Sequence, residues 1–150
     1  MKIYVDADSC PRACRELILK RAGKQGLTAV FAANRPIPGI SGENTVMEIC
    51  VSGEGAADDR IVELAGPEDL VITRDIPLAS RLVDKGIAVL DDRGRSYTAE
   101  NIRERLSMRN FMVDLAESGL GMERNAVYGK KELKSFADAF DRALAHLSKP

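Results

Sequence analysis

Strand-length apolar runs separated by helix-length segments constrain this chain more than any other feature. Lys2–Val5, Thr28–Ala32, Thr45–Val51, Leu70–Thr73 and Ile87–Leu90 are too short for stable helices and carry β-branched or aromatic residues between turn formers. The intervening segments have helical spacing. Ser9 and Pro11 predict the start of a first helix with Ala13, Leu17, Ile18 and Ala22 as its buried stripe and Gly23 as its stop. Gly53 and Gly55 open a second helix over about 56–65, closed by Gly66 and Pro67, and Leu78–Lys85 forms a third before Gly86. Such alternation predicts an α/β fold, a three-layer α/β/α sandwich around a mostly parallel sheet of about five strands. One connection breaks the pattern. Asn34, Pro36, Pro38 and Gly39 leave no room for a helix, so the direction of the strand at 45–51 stays open.

After Leu90 the polar loop DDRGRSYT reads as a turn, followed by a long helix from near Thr98. Its Ile102, Leu106, Phe111, Met112 and Leu115 are expected to clasp the sheet. In a final helix, Leu133, Phe136, Ala137, Phe140, Leu144 and Leu147 follow one face, which either completes the core or makes a dimer surface; the oligomeric state is open. The 150 residues suit one domain. No apolar run reaches bilayer length, and Asp6 interrupts the N-terminal stretch before it could serve as a signal peptide, so a cytoplasmic protein without membrane contact is expected. Cys10, Cys14 and Cys50 fit neither a disulfide framework nor a zinc knuckle; reduced, packed thiols are expected.

The chemistry lies in aspartates placed by the strands. In open α/β sheets ligands bind beyond the carboxyl ends of the strands. Asp6 and Asp8 follow the first strand, Asp75 follows Leu70–Thr73, and Asp58 lies in the first turn of the helix that Gly53 and Gly55 fold back toward the same crevice. Asp69 precedes its strand and belongs at the opposite end, whereas a turn with Arg93 and Gly94 accounts for Asp91 and Asp92. Helix-dipole stabilisation alone would also explain Asp58. Gathered carboxylates repel unless a cation intervenes. Oxygen ligands, with His146 the single histidine and remote in sequence, select Mg²⁺ or Mn²⁺ and point to phosphate chemistry. Ser9 and Thr73 are placed to orient water or phosphate oxygens. Arg93, Arg95 and Arg109, with Arg103 and Arg105, would form a basic lip or simply a solvated helix face. A net charge of −1 excludes a generally basic nucleic-acid coat protein but not such a lip.

The segments VDADSCP, GAADDRIV, DLVITRDIPLA, RGRSYTAENI and RLSMRNFM, in this order over residues 1 to about 120, resemble the YaiI/YqxD family of uncharacterised bacterial proteins, related to the PIN-like nuclease superfamily. The resemblance implies a PIN-like sandwich and a metal-dependent ribonuclease, with Asp6, Asp8, Asp58 and Asp75 as its acidic positions and RNA as a possible substrate. Two departures stand out. Gly55 occupies a place where the family pattern usually carries another aspartate, with Glu54 or Asp59 as candidate replacements, and GMERNAVYG after Gly119 diverges. Two other readings compete. IYVDADS also resembles the opening motif of haloacid-dehalogenase phosphatases, although the paired acids Asp58 and Asp59 precede Thr73, the wrong order for that family. A non-catalytic RNA- or protein-binding module with a metal-stabilised pocket is the other.

Overall fold

The computed structural model describes residues 1–51, 53, 55–119 and 127–148. In chain order it comprises β1 (Lys2–Asp6), α1 (Arg12–Gln25), β2 (Thr28–Ala33), β3 (Thr45–Ile49), α2 (Ala56–Leu64), β4 (Leu70–Ile72), α3 (Ile76–Asp84), β5 (Ala88–Leu90), β6 (Ser96–Tyr97), α4 (Ile102–Glu117) and α5 (Lys130–Leu147). They form a sheet in the order β3-β2-β1-β4-β5-β6. β3 runs parallel to β2, with Ala29 opposite Thr45 and Ala33 opposite Ile49. The open question of its direction is thus settled without a crossover helix: an extended chain advances about 3.3 Å per residue, so the loop from Asn34 to Asn44 is long enough to run back along the sheet. The sixth strand comes from the loop read as a turn. Ser96–Tyr97 pairs antiparallel with β5, and two residues are too few to leave a period in the sequence.

Strand alternation sorts the apolar residues into two cores. On one face Ile3, Val5, Ala29, Phe31, Leu70 and Ile72 pack beneath α1 and α5 through Cys14, Ile18, Ala22, Phe136, Phe140 and Leu144. On the other, Tyr4, Val30, Ala32, Val71 and Val89 meet Ala57 and Ile61 of α2, Leu78, Ala79 and Leu82 of α3, and Ile102. This is a three-layer sandwich. The last helix, whose Phe136 and Phe140 rings stack with centroids 5.2 Å apart, completes the first core.

Three local expectations change. Ala13 is exposed, and the buried stripe of α1 is Cys14, Ile18 and Ala22, a clean i, i+4, i+8 row. The helix also continues through Gly23 to end at Gly26, whose φ of 67° supplies the left-handed cap. α4 does not clasp the sheet. Only Ile102 is buried, Leu106 and Leu115 are half-buried, and Phe111 and Met112 are exposed, because the row continuing inward from Ile102 meets Arg105 and Arg109 at helical spacing. The helix lies along α3 instead. Cys10 and Cys14 are buried free thiols; contact with Cys14, then burial, pushes the Cys10 thiol up, so it packs rather than reacts.

Asp69 does sit at the far end of the sheet, accepting the N–H of Lys2 at 2.8 Å and of Gly66 at 2.9 Å. The β5–β6 hairpin is held against α5 at Gly94, where φ is 83° and an added Cβ would lie 2.5 Å from the Ser135 carbonyl oxygen and 3.0 Å from Ala139. Gly94→Ala therefore combines left-handed strain with overpacking and should destabilise the fold by about 2–4 kcal/mol in urea denaturation. A wild-type midpoint would show that α5 does not press on the hairpin.

Candidate functional site

From β1 the chain builds β2 and β3 to one side, then returns to build β4, β5 and β6 on the other. The direction reverses between β1 and β4, and a crevice beyond the carboxyl ends of the strands opens at that point. Asp6 closes β1 there, 5% exposed. Its Oδ2 accepts the hydroxyl of Thr73 at 2.8 Å and of Ser9 at 3.0 Å. Thr73, just past β4, also accepts the N–H of Asp75 at 3.0 Å and donates its own N–H to the Leu90 carbonyl at 3.0 Å. One threonine thereby fixes the strand end, Asp6 and Asp75 together. Asp75 uses Oδ1 to cap α3, accepting the N–H of Leu78 at 3.0 Å. Asp8 accepts the N–H of Asn34 at 2.9 Å, which ties it to the end of β2. Gly55, at φ 80°, starts α2 and sets Asp58 in its first turn.

Asp6, Asp8, Asp58 and Asp75 all line a cleft of about 410 Å³, together with Ser9, Asn34, Arg74 and Arg109. Burial, then the charges of Asp6 and Asp75 and a hydrogen bond to Asp75, pushes Asp58 up to about 7, against a weaker lowering by Arg81. Burial likewise raises Asp6, and the Thr73 and Ser9 hydroxyls only partly offset it. The charges therefore oppose one another in a poorly solvated space. Among the described residues no three His, Cys, Asp or Glu side chains converge tightly enough to enclose a metal ion unaided. The donor set suits an ion that keeps several waters and takes one or two carboxylates plus a phosphate, as Mg²⁺ does.

The model of the family described as "Uncharacterized BCR, YaiI/YqxD family" matches residues 4–146. The chain belongs to the YaiI/YqxD family. Among its relatives, the UPF0178 protein of Treponema pallidum (strain Nichols) is 47% identical over 147 residues, 98% of this chain and 83% of that protein. The UPF0178 protein of Ectopseudomonas mendocina (strain ymp) is 43% identical over 149 residues, 99% of this chain and 100% of its own length. That of Treponema denticola is 47% identical over 145 residues, covering 97% and 92%. No solved structure matches the chain. No helix among the described residues is long and apolar enough to cross a membrane.

This YaiI/YqxD chain gathers the four candidate aspartates and Ser9 at one cleft, but the arginines separate. Arg109 lines the cleft. Arg93 turns to Glu132, 3.8 Å away, and Arg95 to Asp91 at 2.8 Å. Thr73 is buried and acts on Asp6 rather than on the cleft space. Asp59 pairs with Arg81 at 2.9 Å and is no substitute for an acid at Gly55, while Glu54 and most of GMERNAVYG lie outside the described residues.

Two residues escaped the sequence reading. Arg74, between Thr73 and Asp75, lines the cleft. Asp92 is 4% exposed, with one carboxylate oxygen that has no hydrogen-bond partner among the described residues and the Arg74 guanidinium 4.0 Å away. It shares a small recess with Asp6, Ser9, Cys10 and Thr73. The turn explanation holds for Asp91, which accepts the N–H groups of Arg93 and Arg95 at 2.9 and 2.8 Å, but not for its neighbour. Asp92's place after a strand, the criterion that selects Asp75, was the available signal.

The pKa of Asp58 dictates a pH dependence. Its folded value lies above the ordinary 3.8, so the folded chain keeps a proton that the unfolded chain has released, and that stabilisation is lost as pH rises through about 7. In chelator the melting temperature should fall from about pH 5 to about pH 8, and Asp58→Asn should flatten the fall. A parent melting temperature that rises over that span would contradict the crowding of Asp58.

Proposed function

We propose that this cleft is the centre of a divalent-metal-dependent phosphodiesterase acting on RNA. The observation that carries the reading is the gathering of Asp6, Asp8, Asp58 and Asp75 in one cleft at the reversal point of the sheet, where burial and then the charges of Asp6 and Asp75 push Asp58 up to about 7. Asp6 and Asp75 would hold Mg²⁺ or Mn²⁺ directly, and Asp8 and Asp58 through water or around a second ion. A bound cation supplies neutralisation of the phosphate and a more acidic water. The remaining work falls to the chain itself. Thr73 and Ser9 orient Asp6 and favour its ionised form by donating to Oδ2, against the burial that raises it. Asp58, whose carboxyl is pushed up to about 7, is placed to take the proton of an attacking water. Arg74 and Arg109, on the cleft wall, can meet the non-bridging oxygens of the phosphate.

Calorimetric titration of the metal-free protein with Mn²⁺ should show saturable binding that Asp6→Asn abolishes. The same substitution, and Asp75→Asn, should slow RNA cleavage by about 100-fold or more, equivalent to roughly 3 kcal/mol of transition-state stabilisation. Cleavage at the parent rate by both variants would sink the assignment. A Cβ at Gly55 meets nothing within 4 Å among the described residues, so an acid there has space and is opposed by the φ of 80°. Gly55→Asp should tighten Mn²⁺ binding at a stability cost of about 1 kcal/mol; weaker binding would place the cation elsewhere.

A non-catalytic metal-stabilised binding module is the second reading. It is favoured by the lack, among the described residues, of three ligands converging on one point. RNA retained but uncut in Mn²⁺ would select it.

A further inference from the structure

Beyond the cleft, the exposed side of α4 forms a second feature. Together with α3 and β6 it encloses a groove of about 480 Å³, whose walls include Arg95, Tyr97, Arg105, Met108 and Met112. Ile76 and Arg109 line both this groove and the acidic cleft, so the two are continuous. Met108 is 58% and Met112 44% exposed, apolar surface that the fold itself does not use. Arg95 on its wall is held by Asp91, but its other two arginines are not engaged by an acid among the described residues. The Arg105 guanidinium lies 4.8 Å from the Tyr97 ring centroid, and no ion pair among the described residues engages Arg105 or Arg109.

We infer that this groove binds single-stranded RNA and leads it into the acidic cleft. The inference rests on the phosphodiesterase reading for its direction, but binding can be measured without it. Arginines interleaved with apolar side chains fit a strand whose phosphates and base faces are presented together. A duplex offers mainly phosphates and hides its bases, leaving Met108 and Met112 with nothing to cover them. A second copy of the chain is disfavoured, because matching α4 faces would set Arg105 and Arg109 against their own counterparts.

The test is fluorescence anisotropy of the full chain in chelator, with labelled oligouridylate of about 12 nucleotides and a duplex of the same length as probes. The single strand should bind at least about tenfold more tightly than the duplex. Arg105→Glu and, separately, Met112→Asp should weaken it by about tenfold or more, while Arg103→Glu, an exposed position outside the groove, should have a smaller effect. Met112→Asp guards against misfolding, since its side chain is exposed at the surface and its melting temperature should match the parent's. Equal affinity for both probes, or groove variants that bind like Arg103→Glu, would overturn the inference. So would a parent dimer in sedimentation that Met112→Asp splits with no change in RNA affinity. The two readings fail separately. Strand binding lost in Arg105→Glu, with no RNA cut in Mn²⁺, removes the phosphodiesterase and keeps the groove; Asp6-dependent cleavage with groove variants of unchanged affinity does the reverse.

Discussion

The hydrogen bond from Thr73 to Asp6 is the constraint on which the rest of the site depends. Both ends are almost fully buried, and the bond joins the carboxyl ends of the two central strands. A carboxylate taken out of water is costly unless its oxygens are satisfied. Thr73 donates to Asp6 and accepts from the Asp75 N–H, so one side chain sets the spacing of two acids and starts the helix that Asp75 caps. Valine, close to threonine in shape, would keep the packing and lose both functions.

The same compactness that places the acids sets them against one another. Around them the fold is conventional: two apolar layers on a parallel sheet, with the polar groups of the far end, such as Asp69, neutralised by backbone N–H donors. At the near end the donors are fewer and the charges alike. Asp91 and Asp92 show the contrast within two residues. Asp91 collects two backbone N–H groups and the Nε of Arg95, whereas Asp92, equally hidden, keeps one oxygen without a hydrogen-bond partner among the described residues. Such uncompensated polarity gathers at a single end of the sheet, as expected where local stability is given up for chemistry.

Much of this was legible in the chain because strong signals coincide. Runs such as Leu70–Ile72 are fully apolar, as buried parallel strands are, and glycines punctuate them. The rule that ligands lie beyond strand ends then placed Asp6, Asp8 and Asp75 together, and the turn at Gly55 brought Asp58. Weak periodicity hid the rest. A two-residue strand such as β6 carries no alternation, and α4 has apolar residues on several sides, so counting them suggested burial where Arg105 and Arg109 interrupt the inward row. The partners of the arginines could not be read, because Arg93 and Arg95 are decided by neighbours, Glu132 and Asp91, that turn geometry selects.

The central place of β1 has a consequence for how the protein is made. β1 leaves the ribosome shortly before β2, its first partner, but its other neighbour pairs Ile3 with Leu70, and its outer cover includes Phe136, Phe140 and Leu144, more than a hundred residues further on. Non-local pairing is slow, and apolar surface awaiting a partner is prone to stray contacts. Asp6 is thus synthesised well before the partners that fix it. Until Thr73 arrives, the nascent chain carries its acids in water, each solvated and separate.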